Sequence, residues 1–243
     1  MDQQKILITG GSGLLGSELK QLMPQAYFPN SKIFDVTNYE SMRTCLEGKQ
    51  IQTIVHCAAL TSPPVCDKKP LKALETNIVG TANVVKLCIQ QNIKLIYIST
   101  DYVFRGDQGN YREDDPVYPV NKYAWSKLGG ECAVRMHDNS LIIRTSFGPN
   151  VFPYAKAFVD QWTSRESVVI VARKIRHILD LPLTGTIHIG GPRRTVFEYA
   201  KQLDSSRQIG EISIKEVSFR VPVDTSLDTS RYQAAMDRVN SNY

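Results

Sequence analysis

Apolar residues fall along this chain in short unbroken runs, separated by longer stretches in which they recur every three or four positions. Lys5-Ile6-Leu7-Ile8-Thr9 is the first run, and after the glycines that end it Leu14, Leu15, Leu19 and Leu22 recur at helical spacing up to Pro24. The alternation continues with a strand at 26–28, a helix at 39–46 capped by Thr37 or Asn38, and a buried strand at 53–58. A helix at 70–91, a strand at 94–99, a helix at 123–136 and an extended segment at 141–144 follow. Strands separated by helix-length segments require parallel pairing with right-handed crossovers, because a tight hairpin cannot join parallel neighbours. The pattern predicts an α/β fold with a doubly wound parallel sheet.

Beyond Arg144 the pattern is less regular. Helices are expected at 152–162, 169–179 and 196–203, with a strand at 186–189, and this half reads as a small appended lobe. No internal repeat or low-complexity segment interrupts the chain.

Chemistry enters at the first strand-to-helix junction. Gly10-Gly11-Ser12-Gly13-Leu14-Leu15-Gly16 places glycines three residues apart, where a tight turn lets backbone amides approach a pyrophosphate at the positive end of a helix. An ordinary turn is the bland reading of such a pattern, but its place at the first βα unit marks a Rossmann-type dinucleotide site. About 20 residues further on, where an acid would hold the adenosine ribose of NAD, the chain has Pro29-Asn30-Ser31-Lys32. No carboxylate is there to repel a 2′-phosphate, and Ser31 with Lys32 suits one, so the expected cofactor is NADPH with NADH as the alternative. Asp35 and Val36 suit an adenine contact.

A second constellation lies downstream. Ser99-Thr100-Asp101-Tyr102 ends the strand at 94–99, and Tyr123-Ala124-Trp125-Ser126-Lys127 opens the following helix. Ligands of open α/β sheets bind beyond the carboxyl ends of the strands, which puts the Thr100 hydroxyl in the crevice. Residues four apart share a helix face, which brings the Tyr123 phenol and the Lys127 ammonium together. Reducing a ketone by hydride requires a proton donor for the developing alkoxide. A lysine charge ~4 Å away at an effective dielectric of ~20 contributes about 4 kcal/mol, enough to lower a phenol pKa of ~10 by up to about three units. Tyr123 is therefore the candidate acid, Lys127 its tuner and ribose ligand, and Thr100 the carbonyl's hydrogen-bond donor. A lone Tyr-x-x-x-Lys on an exposed helix face is the bland alternative.

Bulk properties narrow the class. With 243 residues and 42% apolar content the chain fills a large domain and a modest lobe. The expected division is an NAD(P)-binding domain at 1–147 and a mainly substrate-binding lobe at 148–243. No apolar run approaches the ~20 residues of a spanning helix, and the amino terminus does not read as a signal peptide, so a cytoplasmic protein without membrane association is expected. The net charge of +5 is spread along the chain, which suits a small anionic ligand better than nucleic acid. The 5 cysteines lack a Cys-x-x-Cys pair and nearby histidines, so buried reduced thiols are expected and no metal site.

These residues resemble an extended short-chain dehydrogenase/reductase, and within it the dTDP-4-dehydrorhamnose reductase family. Ser99-Thr100-Asp101-Tyr102-Val103-Phe104, Tyr123-x-x-x-Lys127 with Gly130-Glu131, and Arg144-Thr145-Ser146 carry the resemblance, which covers residues 4–147 well. It is fainter at 185–232, where Pro222-Val223-Asp224-Thr225-Ser226-Leu227 is similar to a substrate segment. The resemblance implies that Gly10, Gly13, Leu14, Leu15 and Gly16 surround the pyrophosphate, Asp35 and Val36 flank the adenine, and Ala58, Ala59 and Leu60 line the cofactor. It implies that Thr100, Asp101, Tyr102 and Ser146 meet a nucleotide-diphosphate sugar and that Tyr123 protonates the C4 oxygen. Dehydratases of related fold follow the threonine with an Asp-Glu pair, whereas Asp101 here precedes Tyr102.

The chain departs from the family at several points. Phe147 stands at a usual tryptophan, Val221 at a usual arginine with Arg220 one position early, and Arg193 or Arg194 could supply the missing cation. The chain is also short between Phe147 and Lys174, where a substrate-covering loop belongs, and Glu166-Ser167-Val168-Val169 reads as a junction closing over absent loop residues. Two further functions share the pattern. One is a non-catalytic NADP-binding regulatory subunit similar to the methionine adenosyltransferase β subunit, and the other a nucleotide-sugar epimerase or bifunctional epimerase-reductase. A homodimer is compatible with all three.

Overall fold

The computed structural model describes residues 2–217 and 220–240. Its first half runs β1 (Ile6–Thr9), α1 (Leu14–Leu22), α2 (Tyr39–Leu46), β2 (Thr53–His56), α3 (Pro63–Lys68), α4 (Pro70–Ala73), a π-helical turn at Leu74–Val79, α5 (Gly80–Gln91), β3 (Lys94–Thr100), α6 (Lys122–Val134) and β4 (Ser140–Thr145). The second half adds β5 (Phe147–Gly148), β6 (Lys156–Phe158), β7 (Trp162–Thr163), β8 (Glu166–Ser167), α7 (Val168–Ile178), β9 (Gly185–Ile189), β10 (Arg194–Thr195), α8 (Val196–Leu203), β11 (Gly210–Ile212) and α9 (Ser230–Asn240).

β1, β2, β3, β4 and β9 pair in that order, all parallel, into one sheet. Almost every residue of these strands is buried, as expected of strands covered on both faces, and this is why they read as unbroken apolar runs. α1 and α7 cover one face through Leu15, Leu19, Val171 and Ile175. α2, α5 and α6 cover the other through Met42, Leu46, Val84, Leu87 and Val134. The doubly wound α/β expectation holds. Because α7 and β9 lie beyond residue 147, the second half completes this layer as well as building the lobe.

Local chemistry sets the element ends. Pro63 and Pro70 open α3 and α4, where a missing N–H costs nothing, and Asn92 closes α5 at φ 52, in the left-handed region. Asn38 caps α2 by accepting from Ser41 N at 3.2 Å. The expected helix at 70–91 is continuous in direction but widens into the π-helical turn at its centre.

Two expectations need correction. The strand at 26–28 shrinks to a single bridge between Tyr27 and Leu7, because Pro29 has no N–H to extend it. The helix at 152–162 is absent: Ala157, buried between less buried neighbours, belongs to β6, which pairs with β11. At 166–169 β8 leads into α7, and Ser167 accepts from Ile170 N at 3.4 Å.

In the lobe β5 pairs with β8, β7 with β10 and β6 with β11, around a small core of Phe152, Ala157, Val196, Tyr199, Ala200 and Ile209. Cys45, Cys66 and Cys88 are buried, Cys57 is half-buried and Cys132 is exposed, so the thiols are not uniformly interior. Among the described residues no helix is long and apolar enough to cross a membrane.

Candidate active site

The glycine loop is shaped by what lies against it. Gly10 has φ +69, and a Cβ there would sit 2.8 Å from Ala58 N, so both the conformation and the approach of β2's exit loop demand glycine. A Cβ on Gly16 would strike the Gly10 carbonyl, which makes Gly16 a packing residue that does not line the cleft. Gly13 is the N-cap of α1 with no side chain to cap it; its own N–H donates to Gly10 O at 2.9 Å. The amides of the first turn of α1 are thereby left for an anion at the helix's positive end.

The opposite lip is held by a polar relay. Cys57 N and Ala58 N donate to Thr9 Oγ1 at 3.1 and 3.0 Å, so the Thr9 hydroxyl proton goes to His56 Nδ1 at 2.8 Å. His56 Nε2 then donates to Thr81 Oγ1 at 3.2 Å, and Thr81 donates to Asn77 O at 2.8 Å. His56 is neutral, its pKa pushed down to about 3 by burial and by the Lys127 charge. Asn77 receives Leu60 N at 2.7 Å and donates to Leu60 O at 2.9 Å and Ser126 Oγ at 2.8 Å, while Ser126 donates to Tyr123 O at 2.7 Å. One buried amide thus ties the cofactor lip to the start of α6. Leu60 serves this clasp and is not part of the cleft lining.

Thr100, Asp101, Tyr102, Tyr123 and Lys127 converge on the same cleft, with Ala58, Ala59, Asp35, Val36, Ser31 and Ser146. Asn121 caps α6 by accepting from Ala124 N at 2.9 Å, which fixes where Tyr123 leaves the helix. Thr100 Oγ1 donates to Asp101 Oδ1 at 3.1 Å and Thr225 Oγ1 donates to Asp101 Oδ2 at 2.7 Å. Burial raises the Asp101 pKa to about 6, against the hydrogen bond from Thr225 and the Arg165 charge.

The expected lowering of the Tyr123 pKa by Lys127 is not found. Burial raises the phenol above its ordinary range, a hydrogen bond with Thr100 opposing. Lys127 Nζ instead stands over the Tyr97 ring, 4.1 Å from its centroid, and burial pushes its own pKa down to about 7, with Glu131 and Cys57 opposing. Tyr123 is thereby kept in the protonated form that a proton donor needs.

Behind these groups a buried ion pair braces β3, α6 and β4. Arg144 Nη2 meets Glu131 Oε2 at 2.9 Å, Ser99 Oγ donates to Glu131 Oε1 at 2.6 Å, and Arg144 Nη1 donates to Glu113 O at 3.1 Å.

The far wall comes from the lobe. Gln161 Nε2 donates to Tyr102 Oη at 3.4 Å, and Gln161, Arg165, Arg220, Val221 and Pro222 line the cleft. Segment 222–228 is sewn to the loop after β3: Asp224 N donates to Gly106 O at 2.9 Å, Asn110 N to Ser226 Oγ at 2.7 Å and Tyr111 N to Ser226 O at 2.9 Å. The cleft holds about 1820 Å³. A drug-sized ligand occupies ~300–1,000 Å³, so there is room for two ligands side by side.

Two cation expectations fail. Lys32 is exposed and outside the lining, because Asn30 turns the loop there by accepting Lys32 N at 2.9 Å; Lys20 of α1 lines the cleft instead. Arg193 is held by Asp224 at 2.8 Å, and Arg194 by Glu166 and Gln202, so neither lines the cleft in place of the missing arginine. Asn77, Gln161 and Arg165 were not singled out from the sequence, and Thr225 appeared there only within the 222–227 segment. Only Asn77, a lone amide between apolar helical positions, left a local signal there.

A parallel doubly wound sheet whose glycine loop, strand-end threonine and Tyr-x-x-x-Lys helix share one cleft defines the extended short-chain dehydrogenase/reductases, NAD(P)-dependent oxidoreductases. Within that class the chain belongs to the family described as RmlD substrate binding domain, which matches residues 4–203. It is 29% identical over 218 residues to a probable low-salt glycan biosynthesis reductase, Agl14, of Haloferax volcanii, spanning 75% of this chain and 73% of that protein. It is 28% identical over 234 residues to the methionine adenosyltransferase 2 subunit beta of Mus musculus, spanning 81% and 70%. Among solved structures, dTDP-4-dehydrorhamnose reductase from Bacillus anthracis in complex with NADP superposes with a TM-score of 0.83 at 28% identity, covering 97% of this chain and 91% of that one.

Proposed function

We propose that this protein is an NADPH-dependent ketoreductase acting on the 4-keto group of a nucleotide-diphosphate deoxysugar. The observation that carries the reading is the meeting of Tyr123, kept protonated, with Thr100 and Asp101 in a cleft whose other end is the uncapped amide turn of α1. Gly10 to Leu15 would hold the pyrophosphate, Ser31 and Lys20 the adenosine phosphate, Asp35 and Val36 the adenine, and Lys127 the nicotinamide ribose. NADPH, when bound, supplies the hydride. Tyr123 Oη donates the proton that the reduced carbonyl oxygen needs, and Thr100 Oγ1 orients that oxygen. Asp101, pinned by Thr225, accepts from a sugar hydroxyl, and Tyr102 and Ser146 border the ring.

Tyr123→Phe tests the reading. Reduction of a dTDP-4-keto-6-deoxysugar, followed by NADPH consumption, should fall by about 10²–10⁴, the usual weight of a positioned acid, while NADPH affinity by calorimetry stays near wild type. Unchanged turnover would sink the assignment.

The likeness to methionine adenosyltransferase β subunits, which spans 81% of the chain, favours a second reading as a cofactor-binding regulatory subunit. Under it Tyr123→Phe leaves partner binding and stimulation untouched, and no keto sugar consumes NADPH. An epimerase would instead retain its cofactor through purification.

A further inference from the structure

Arg165 joins β7 to β8, and its position is set by the backbone without a partner for its charge. Its N–H donates to Thr163 Oγ1 at 3.1 Å, its carbonyl accepts from Arg194 Nη2 at 2.8 Å, and its Nη2 donates to Phe147 O at 3.0 Å. Nε is buried and has no hydrogen-bond acceptor. The neighbouring carboxylate, Glu166, is taken by Arg194, and among the described residues no carboxylate pairs with Arg165. An orphaned donor on a charged group is costly, and an anionic oxygen is what relieves it. The side chain lines the large cleft and also a small adjoining pocket shared with Leu14 of the glycine loop and with Phe147. Its charge reaches Asp101 and Tyr102, favouring the ionised form of each. The guanidinium therefore stands between the cofactor's phosphate seat and the sugar-facing wall.

We propose that Arg165 is a diphosphate-binding residue of the cleft, its guanidinium, which lines the cleft and pairs with no carboxylate among the described residues, taking a phosphate oxygen of the nucleotide sugar or of the cofactor. The assignment deepens the ketoreductase reading and rests on it. Arg193 and Arg194 are committed to the fold, which leaves Arg165 and the exposed Arg220 as the arginines that line the cleft.

The test titrates thymidine diphosphate and NADPH separately into wild type, Arg165→Ala and Arg165→Lys by calorimetry, with melting curves to confirm folding. Arg165→Ala should weaken one of the two diphosphates by about tenfold to a hundredfold, and the affected titration names the source. Arg165→Lys, which keeps charge and bulk but not the planar fork, should recover part of the loss. Equal affinities in all three proteins overturn the proposal and leave the ketoreductase reading standing. Equal losses in both titrations with no recovery by lysine mark a disturbed wall and also overturn it. Failure of wild type to bind NADPH defeats both.

Discussion

The sheet and the lobe are held together by different means. β3 and β4 pair without a break from Leu95↔Ser140 to Thr100↔Thr145, and helices seal both faces. The lobe has ladders of two or three residues and relies on side chains: Asp224 accepts from Arg193 Nε at 2.8 Å, Ser226 N at 3.0 Å and Ser226 Oγ at 2.7 Å, while Asp160 accepts Ile214 N at 2.9 Å. The difference shows where each property resides. Backbone pairing fixes the sheet that carries the cofactor seat and the acid, and side-chain links together with single backbone bonds shape the wall that meets the variable ligand.

If this division is right, substitutions in the sheet half should move global unfolding and those in the lobe should move ligand affinity. The largest effect is expected from Glu131→Ala, which strands the buried Arg144 charge and should cost about 3–5 kcal/mol in urea unfolding. A much smaller cost would mean that the brace behind the site is dispensable.

Lys127 sharpens the comparison through pH. Burial takes its pKa from 10.5 down to about 7, so between those values the unfolded chain holds a proton that the folded protein has shed. Stability contributed through this group therefore rises with pH across that window, by at most about 1.4 kcal/mol per pH unit. The Cys57 and Cys88 thiols, raised by desolvation from 9.0 to about 12, oppose the trend only at higher pH. Denaturant unfolding from neutral pH up to the thiol range should show the slope in wild type and a flatter line in Lys127→Met; parallel lines would remove Lys127 from the balance.

Gly10→Ala should cost about 1–3 kcal/mol and weaken NADPH binding, since φ +69 and the nearby Ala58 N both resist a Cβ. A normal melting temperature with normal affinity would contradict it. The smallest effect belongs to the lobe. Thr225→Val removes one hydrogen bond to Asp101 and should lower stability by about 1 kcal/mol while raising the KM for the sugar nucleotide more than it lowers kcat. An effect on melting larger than that of Glu131→Ala would reverse the division.

The parallel sheet, the glycine loop and the meeting of Thr100 with Tyr123 in one cleft were legible because each is written in neighbouring residues: burial on both faces makes apolar runs, and helix spacing is local. The lobe was legible only in its helix at 196–203. Strands of two residues carry no periodicity, and the apolar positions at 152–162 imitate a helix where Ala157 pairs with β11 instead. Arg165, Asn77 and Thr225 take their roles from contacts across long separations, such as Thr225 with Asp101, which no window of sequence contains. Lys32 failed for a related reason, since which residue faces the cleft depends on how Asn30 turns the loop. The electrostatic expectation for Lys127 failed because helix spacing gives proximity, while burial disfavours the lysine charge.

The strap at 222–228 has a consequence for how the protein is made. Ribosomes deliver the chain from its amino terminus, so the glycine loop, Thr100 and Tyr123 emerge well before Thr225 can reach Asp101. A nascent or prematurely stopped chain can therefore own a finished dinucleotide seat and an unfinished sugar seat. Retention on a nucleotide affinity resin would select such molecules together with complete ones, and only a ligand that touches Asp101 would tell them apart.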